Sequence, residues 1–309
     1  MPPQPGAADR RPASVYWALL VGLSTFSLSP ILVRLAAEAP GLTVALWRTT
    51  IAAAVLAPIA LVRIRKEVAA FDRRDVLLII TAGILLALHF VTWIESVYRT
   101  TVASASVLVT TSPIFLAVLG YLFLRERLTM KISLSIVLAV VGAALIGLGD
   151  VSTGSEGAPA PLLGNSLALT ASLLFSVYLL MGRVVRQKTS WLAYVFPLYT
   201  VAALTVLTIA LIQGVPILGF KPEFYLLCAA MALGPQVLGH GSFNYAIRYL
   251  PAAVLGLLSL VEPVGASVLA YFIFQEVPSL PALAGMVIVL SAISVAIVNR
   301  KRPTVPASD

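Results

Sequence analysis

Ten apolar runs, each about the length of a bilayer-crossing helix, constrain this sequence more than any other feature. They lie at 15–36, 42–62, 76–97, 101–124, 130–149, 161–184, 189–212, 224–247, 251–274 and 280–299. A helical span needs roughly 20 mostly apolar residues, so ten spans use about two thirds of the 309 residues and leave only short connections. No sizeable soluble domain fits between them. In hydrocarbon every backbone N–H and C=O must be satisfied within the segment, which points to helices. Charged residues make up 11% of the chain and mean hydropathy is +0.99, whereas a soluble domain is about 25% charged. The expected fold class is all-α: a polytopic membrane protein with ten transmembrane helices.

The formal net charge of +8 does not indicate a nucleic-acid binder, because the basic residues are scattered between apolar runs with no aromatic-studded basic face. Their placement sorts by loop. Arg10, Arg11, Arg63, Arg65, Lys66, Arg73, Arg74, Arg125, Arg127, Lys131, Arg183, Arg186, Lys188, Arg248, Arg300, Lys301 and Arg302 fall on one side. Only Arg34, Arg99 and Lys221 fall on the other, and Arg48 lies inside the second span. By the positive-inside tendency, both ends are expected in the cytoplasm of a bacterial or archaeal cell with the chain in the inner membrane. Residues 1–14 read as a disordered cytoplasmic tail and 300–309 as a basic cytoplasmic tail. The first apolar run is too long for a signal-peptide core and is read as a retained helix. Pro40-Gly41 should end the first span and Gly149-Asp150 the fifth, with 150–160 as a linker. Cys228 is the only cysteine; it excludes an internal disulfide and reads as a small buried hydrophobe.

A shift of 150 residues lays the halves over each other. The segment Pro113–Glu126 falls on Pro263–Glu276 with identical Pro, Val, Leu, Tyr and Glu positions, Ala52-Ala53 falls on Ala202-Ala203, and Phe26-Ser27 matches Phe175-Ser176 at a shift of 149. The two repeats are 15–149 and 161–299. Each holds five spans, an odd number, so the second copy enters the membrane inverted. Inverted repeats recur in secondary transporters, where two related halves rock around a site near the midplane.

Several stretches resemble the drug/metabolite transporter superfamily, specifically proteins with two EamA domains. They are Leu46-Trp47-Arg48, His89 to Tyr98 followed by Ala103-Ser104, Pro113 to Leu128, Leu238 to Leu250, and Glu262-Pro263. The resemblance covers nearly the whole chain. It implies ten helices, both termini inside, a central cavity lined by helices 1–4 and 6–9, and transport of amino acids or other metabolites, more often outward. It does not identify a substrate.

An ionisable side chain at mid-bilayer costs about 2.5–3.5 kcal/mol on insertion scales, so such residues mark candidate sites. Glu262 lies within the ninth span beside Pro263, whose missing N–H should free a carbonyl one turn back; it is the candidate for proton coupling, or a neutral acid packing against a neighbouring helix. Its repeat mate is Ser112, next to Pro113. Gln236, His240 and Asn244 recur every four residues on one face of the eighth span, with Pro235 and several glycines to loosen the helix. They contact substrate or bond a neighbouring helix. His89 and Trp93 share a face of the third span: His89 can couple to protons or serve as a structural donor, and Trp93 can stack on a ligand or pack. Arg48 can bind a substrate carboxylate, snorkel to the surface, or pair with a helix end. Trp17, Trp47 and Trp191 read as interfacial anchors, and Glu126 and Glu276 as caps or interfacial contacts.

No metal motif or phosphate loop is present, no cofactor is called for, and Ser242 and His240 are two apart on a helix, so they point to different faces. The expected function is secondary transport of a small metabolite, an amino acid or similar amphipathic solute, by alternating access. Its partners would be that solute, the lipid bilayer and, as candidate coupling ion, protons. A membrane-embedded enzyme and a non-transporting receptor or scaffold are the alternatives. Neither requires inverted repeats.

Overall fold

The computed structural model describes residues 12–124, 130–153, 158–250, 252–259 and 261–298. Among these, every regular element is helical. The first half comprises α1 (Ala13–Phe26), α2 (Ser29–Leu35), α3 (Gly41–Arg63), α4 (Arg65–Ala69), α5 (Arg73–Val97), α6 (Val102–Val109), α7 (Ser112–Leu124) and α8 (Met130–Thr153). The second comprises α9 (Pro161–Arg186), α10 (Trp191–Gln213), α11 (Pro222–Met231), a π-helical segment Ala232–His240, α12 (Gly241–Ala246), α13 (Ala252–Leu258), α14 (Val261–Phe274) and α15 (Leu280–Val298). Six segments are long and apolar enough to cross a membrane: Ala13–Leu35, Gly41–Arg63, Arg73–Val97, Pro161–Arg186, Trp191–Gln213 and Pro222–Ala246. Shorter apolar helices stand where the fourth, fifth, ninth and tenth spans are expected.

Three expected spans are broken near their middle. The first breaks at Ser27-Leu28, the fourth at Thr110-Thr111 and the ninth between Leu258 and Val261. Each break is followed within the next turn by a proline: Pro30, Pro113 or Pro263. Proline brings no N–H to the carbonyl four residues back and its ring crowds that carbonyl, so the helix stops and restarts. The carbonyl expected to be freed behind Pro263 is not free, because Ser259 O accepts from Glu262 N at 3.0 Å. A tighter turn supplies the donor that proline lacks. The fifth span runs through Gly149-Asp150 to Thr153, because a glycine followed by an acid lowers helix propensity without removing a backbone donor. The eighth span continues past Pro235 by widening into the π-helical segment, a rearrangement common at functional sites.

Packing relates the halves by exchange. The first span lies against the eighth (α1 on the π-helical segment and α12), and the third lies against the sixth (α5 on α9). The second pairs with the seventh (α3 on α10), the fourth with the ninth (α6 on α14), and the fifth with the tenth (α8 on α15). Swapping the two repeats converts the first pairing into the second and leaves the other three unchanged. That is the contact pattern of two copies related by a two-fold axis. On the outer surface Leu20, Leu77, Leu204, Leu226 and Phe272 are each more than half exposed. An apolar surface of this extent suits lipid, not water.

At the connection before α5, Asp72 caps the helix by accepting from Asp75 N at 2.7 Å, and Lys188 lies 2.7 Å from Asp75 and 3.4 Å from Asp72. The Asp75 amide, followed by Lys188, holds the Asp72 carboxyl below the usual carboxylate range.

α8 and α15 make the most extensive helix pair, and glycine lets their backbones meet. A Cβ on Gly142 would stand 2.8 Å from Gly285 O, and one on Gly285 would stand 2.5 Å from Gly142 O. With lipid competing equally for apolar side chains, close backbone approach is what holds membrane helices together. Gly285→Val is therefore expected to destabilise the protein by about 1–3 kcal/mol, the usual cost of overpacking. Thermal unfolding in detergent measures it, and an unchanged melting temperature would refute the close approach.

Candidate functional site

The helix breaks converge on one buried cavity. Ser29 at the start of α2, Thr110 after α6, Ser112 at the start of α7, Ser259 after α13 and Glu262 at the start of α14 all line it. Continuous helices complete the wall with Arg48 from α3, His89 and Trp93 from α5, Phe175 from α9 and His240 from the end of the π-helical segment; Phe26 comes from the end of α1. The space open to the centres of water molecules is about 40 Å³. A water needs roughly 10–15 Å³ of such space, so the cavity in this conformation has room for a few waters.

Arg48 is 1% exposed. Its Nε donates to Gln236 Oε1 at 3.1 Å, and its guanidinium carbon lies 4.1 Å from the centroid of the Phe90 ring. Its Nη1 has no protein partner. A buried cation is costly unless paired. Here a side-chain amide, a ring face and an acid lining the same cavity share that task, and one donor is left over. Glu262 is 9% exposed and lines the same cavity, so one strong base and one acid share a small space.

The two histidine rings meet edge to face, with centroids 5.5 Å apart. His89 Nδ1 lies 2.8 Å from Ala171 O. A carbonyl only accepts, so Nδ1 carries the hydrogen and a neutral ring keeps its lone pair on Nε2. His240 Nδ1 lies 3.0 Å from the Tyr178 hydroxyl. Phe26, Phe90 and Phe175 pack around His240 with centroids 4.9 to 5.8 Å away. Gly239 permits this closeness, since a Cβ there would meet the Phe26 ring at 2.5 Å.

The sequence-derived candidates separate into two groups. Arg48, His89, Trp93, His240 and Glu262 line the cavity together. Gln236 and Asn244 do not. Both are fully buried, but Gln236 lies behind Arg48 and holds it, and Asn244 lies beyond the cavity, its backbone carbonyl accepting from Arg186 Nε at 2.9 Å. Gln236, His240 and Asn244 therefore do not form one cavity-facing stripe: Gln236 and His240 lie in the π-helical segment, which departs from the regular helical period, and Asn244 lies in α12. Arg48 does not snorkel. Pro113 and Pro263 sit in the first turns of α7 and α14, shaping the breaks without lining the cavity.

Trp47 and Trp191 are hydrogen-bonded inside the protein, to Ile217 O and Gly241 O at 2.8 Å each; Trp17 is 66% exposed. Glu276 Oε2 accepts from Val102 N at 2.8 Å, capping a neighbouring helix. Glu126 lies outside the described residues, as do 1–11 of the N-terminal tail, the C-terminal tail and part of the linker.

Sequence reasoning missed Ser29, Thr110, Ser259, Phe26 and Phe175. Two signals pointed to some of them. Ser29-Pro30 repeats the polar-residue–proline pairs Ser112-Pro113 and Glu262-Pro263, and Phe26 and Phe175 are repeat mates. The cavity is built from mates: Phe26 with Phe175, and Ser112 with Glu262.

Gln236→Ala would leave Arg48 Nε buried without its acceptor. The expected loss is about 2 kcal/mol, the range for a hydrogen bond to a charged group. Unfolding in detergent checks this, with Gln236→Glu, which keeps the acceptor, expected to lose less. Equal losses would assign the effect to packing.

Comparison with known proteins identifies the family. The EamA-like transporter family model matches residues 13–148 and 162–298, one match per repeat. The uncharacterized transporter YetK of Bacillus subtilis (strain 168) is 24% identical over 306 residues, covering 96% of this chain and 91% of that protein. An uncharacterized transporter of Methanothermobacter thermautotrophicus is 29% identical over 214 residues, covering 67% of this chain and 60% of its own. A solved crystal structure at 17% identity superposes with a TM-score of 0.65 over 93% of this chain and 97% of its own, which shows a shared fold. The chain belongs to the EamA-like transporter family.

Proposed function

We propose that this EamA-like transporter carries a small amphipathic metabolite, an amino acid or a solute of similar charge pattern, across the cell's inner membrane by alternating access, in the outward direction. The observation that carries the reading is the exchange-related packing of the two repeats around one buried polar cavity. Two copies of one unit can trade conformations, and the trade moves the opening of the cavity from one face to the other. The small volume of the cavity supports a conformation between the two openings. The excess of Lys and Arg in alternate loops supports cytoplasmic ends.

Within the cavity, Arg48 offers an unpartnered Nη1 to a carboxylate, and an arginine fork suits a carboxylate geometrically. Glu262 faces the same space and offers a place for the amino group of the solute or for a coupling proton. His89 Nε2 supplies a further proton acceptor. The aromatic rings of Trp93, Phe26 and Phe175 suit the apolar part of an amphipathic solute.

Flux through reconstituted vesicles with a panel of amino acids and related carboxylates tests the reading. Arg48→Met is expected to lower flux at least tenfold. Glu262→Gln is expected to abolish stimulation by a proton gradient while retaining downhill exchange of solute. Undiminished proton stimulation in Glu262→Gln would remove the coupling role. Absence of flux for every solute in the intact protein would remove the substrate class.

A further inference from the structure

The three broken spans share a second feature at their far ends. α2, α6 and α14 each have one end at the cavity, through Ser29, the Val109–Thr110 end of α6, and Glu262. Their other ends meet at one ionic knot. Arg34 Nη1 lies 3.0 Å from Glu276 Oε1, Arg34 Nη2 donates to Thr100 O at 2.6 Å, and Val102 N donates to Glu276 Oε2 at 2.8 Å. The side chains of Arg34 and Glu276 are 16% and 11% exposed, so the pair is screened less than a surface ion pair.

Between cavity and knot, α2, α6 and α14 enclose a small hydrophobic cluster of their own. It consists of Ile31, Val102, Ala266 and Ala270, with Leu269 and Phe274 against it, and is separate from the main core. The inward residues of α14 are largely alanine, and its opposite face presents Val261, Val264, Val268 and Phe272 to the surroundings. Little apolar area is therefore lost when α14 moves away. The α5–α6 junction is anchored differently. Thr100 Oγ1 donates to Asn165 Oδ1 of α9 at 2.8 Å, and Arg99 O accepts from Ala160 N at 3.0 Å. Gln275, which ends α14 and turns Glu276 inward, has φ +57°. Such a left-handed cap is usually glycine, and a longer side chain there costs of the order of 1–2 kcal/mol. That cost is sustained where it aims Glu276 at the knot.

We propose that α14 is a gate over the cavity, hinged beside Glu262 and latched by the Arg34–Glu276 ion pair to α2 and the α6 N-terminus, and that the cavity opens at this end when the latch breaks. The gate goes beyond the transport reading, and its test does not depend on flux.

Cys228→Ala gives a cysteine-free background, and Ser29→Cys places one thiol in the cavity. Labelling by a membrane-impermeant thiol reagent is followed from each face, in right-side-out and inverted vesicles. Glu276→Gln and Arg34→Gln are each expected to speed labelling at least tenfold from one face only, and from the same face. Arg34→Lys, which keeps the charge, should stay near the parent rate. Unchanged labelling in both neutralised variants, or acceleration from both faces alike, would overturn the gate. A measurement without latch variants covers poor folding of those proteins. In the Cys228→Ala, Ser29→Cys background, cross-linking Val102→Cys to Phe274→Cys should abolish labelling of Ser29→Cys from that face, and persistent labelling would overturn the proposal.

Discussion

A backbone polar group has no water to turn to inside a bilayer, and the organisation of this protein follows from where three prolines force that problem. Pro30, Pro113 and Pro263 each withhold one donor within a span that would otherwise be continuous. The interrupted backbone must face protein or a polar space and cannot face lipid. All three breaks accordingly turn to the same place, with Ser29, Thr110, Ser112, Ser259 and Glu262 lining one cavity. The polar cavity and the broken helices are thus one feature. Without the cavity the breaks would be unfavourable, and without the breaks the half-helices on either side would have no hinge.

The cavity depends equally on charge. Arg48 sits with a buried amide, a ring face and an acid as its surroundings. A fully paired arginine would be a structural strut. One with a spare buried donor retains capacity for an anionic group. The repeat makes an asymmetry visible: Glu262 and its repeat mate Ser112 both line the cavity, and only one of them is an acid. The two copies share a fold and differ in the chemistry they bring to the centre.

Much of the fold was legible because hydropathy in a membrane protein reports helix existence directly. The six long spans coincide with apolar runs in the sequence, and the duplication emerged from a fixed residue shift. Arg48, His89, Trp93, His240 and Glu262 were legible as site candidates for the same reason, since a polar residue in an apolar run must find a polar environment. Less legible was anything set by local helix geometry. Gln236 and Asn244 look equivalent to His240 on a regular helix, and only the π-helical segment separates them. Ser29 and Ser259 carry no charge to betray them. The knot of Arg34 and Glu276 joins residues 242 positions apart, and no periodicity announces such a pair.

The central claim is that the two repeats are antiparallel copies enclosing one site, and membrane topology tests it most directly. A small accessibility tag placed after the first span, at 37–39, and another after the sixth, at 187–189, mark equivalent points of the two copies. Probed in intact cells and in inverted vesicles, the two tags should be reached from opposite faces of the membrane. Both tags reached from the same face would mean parallel copies, and the exchange of openings on which transport is proposed to depend would have no structural basis.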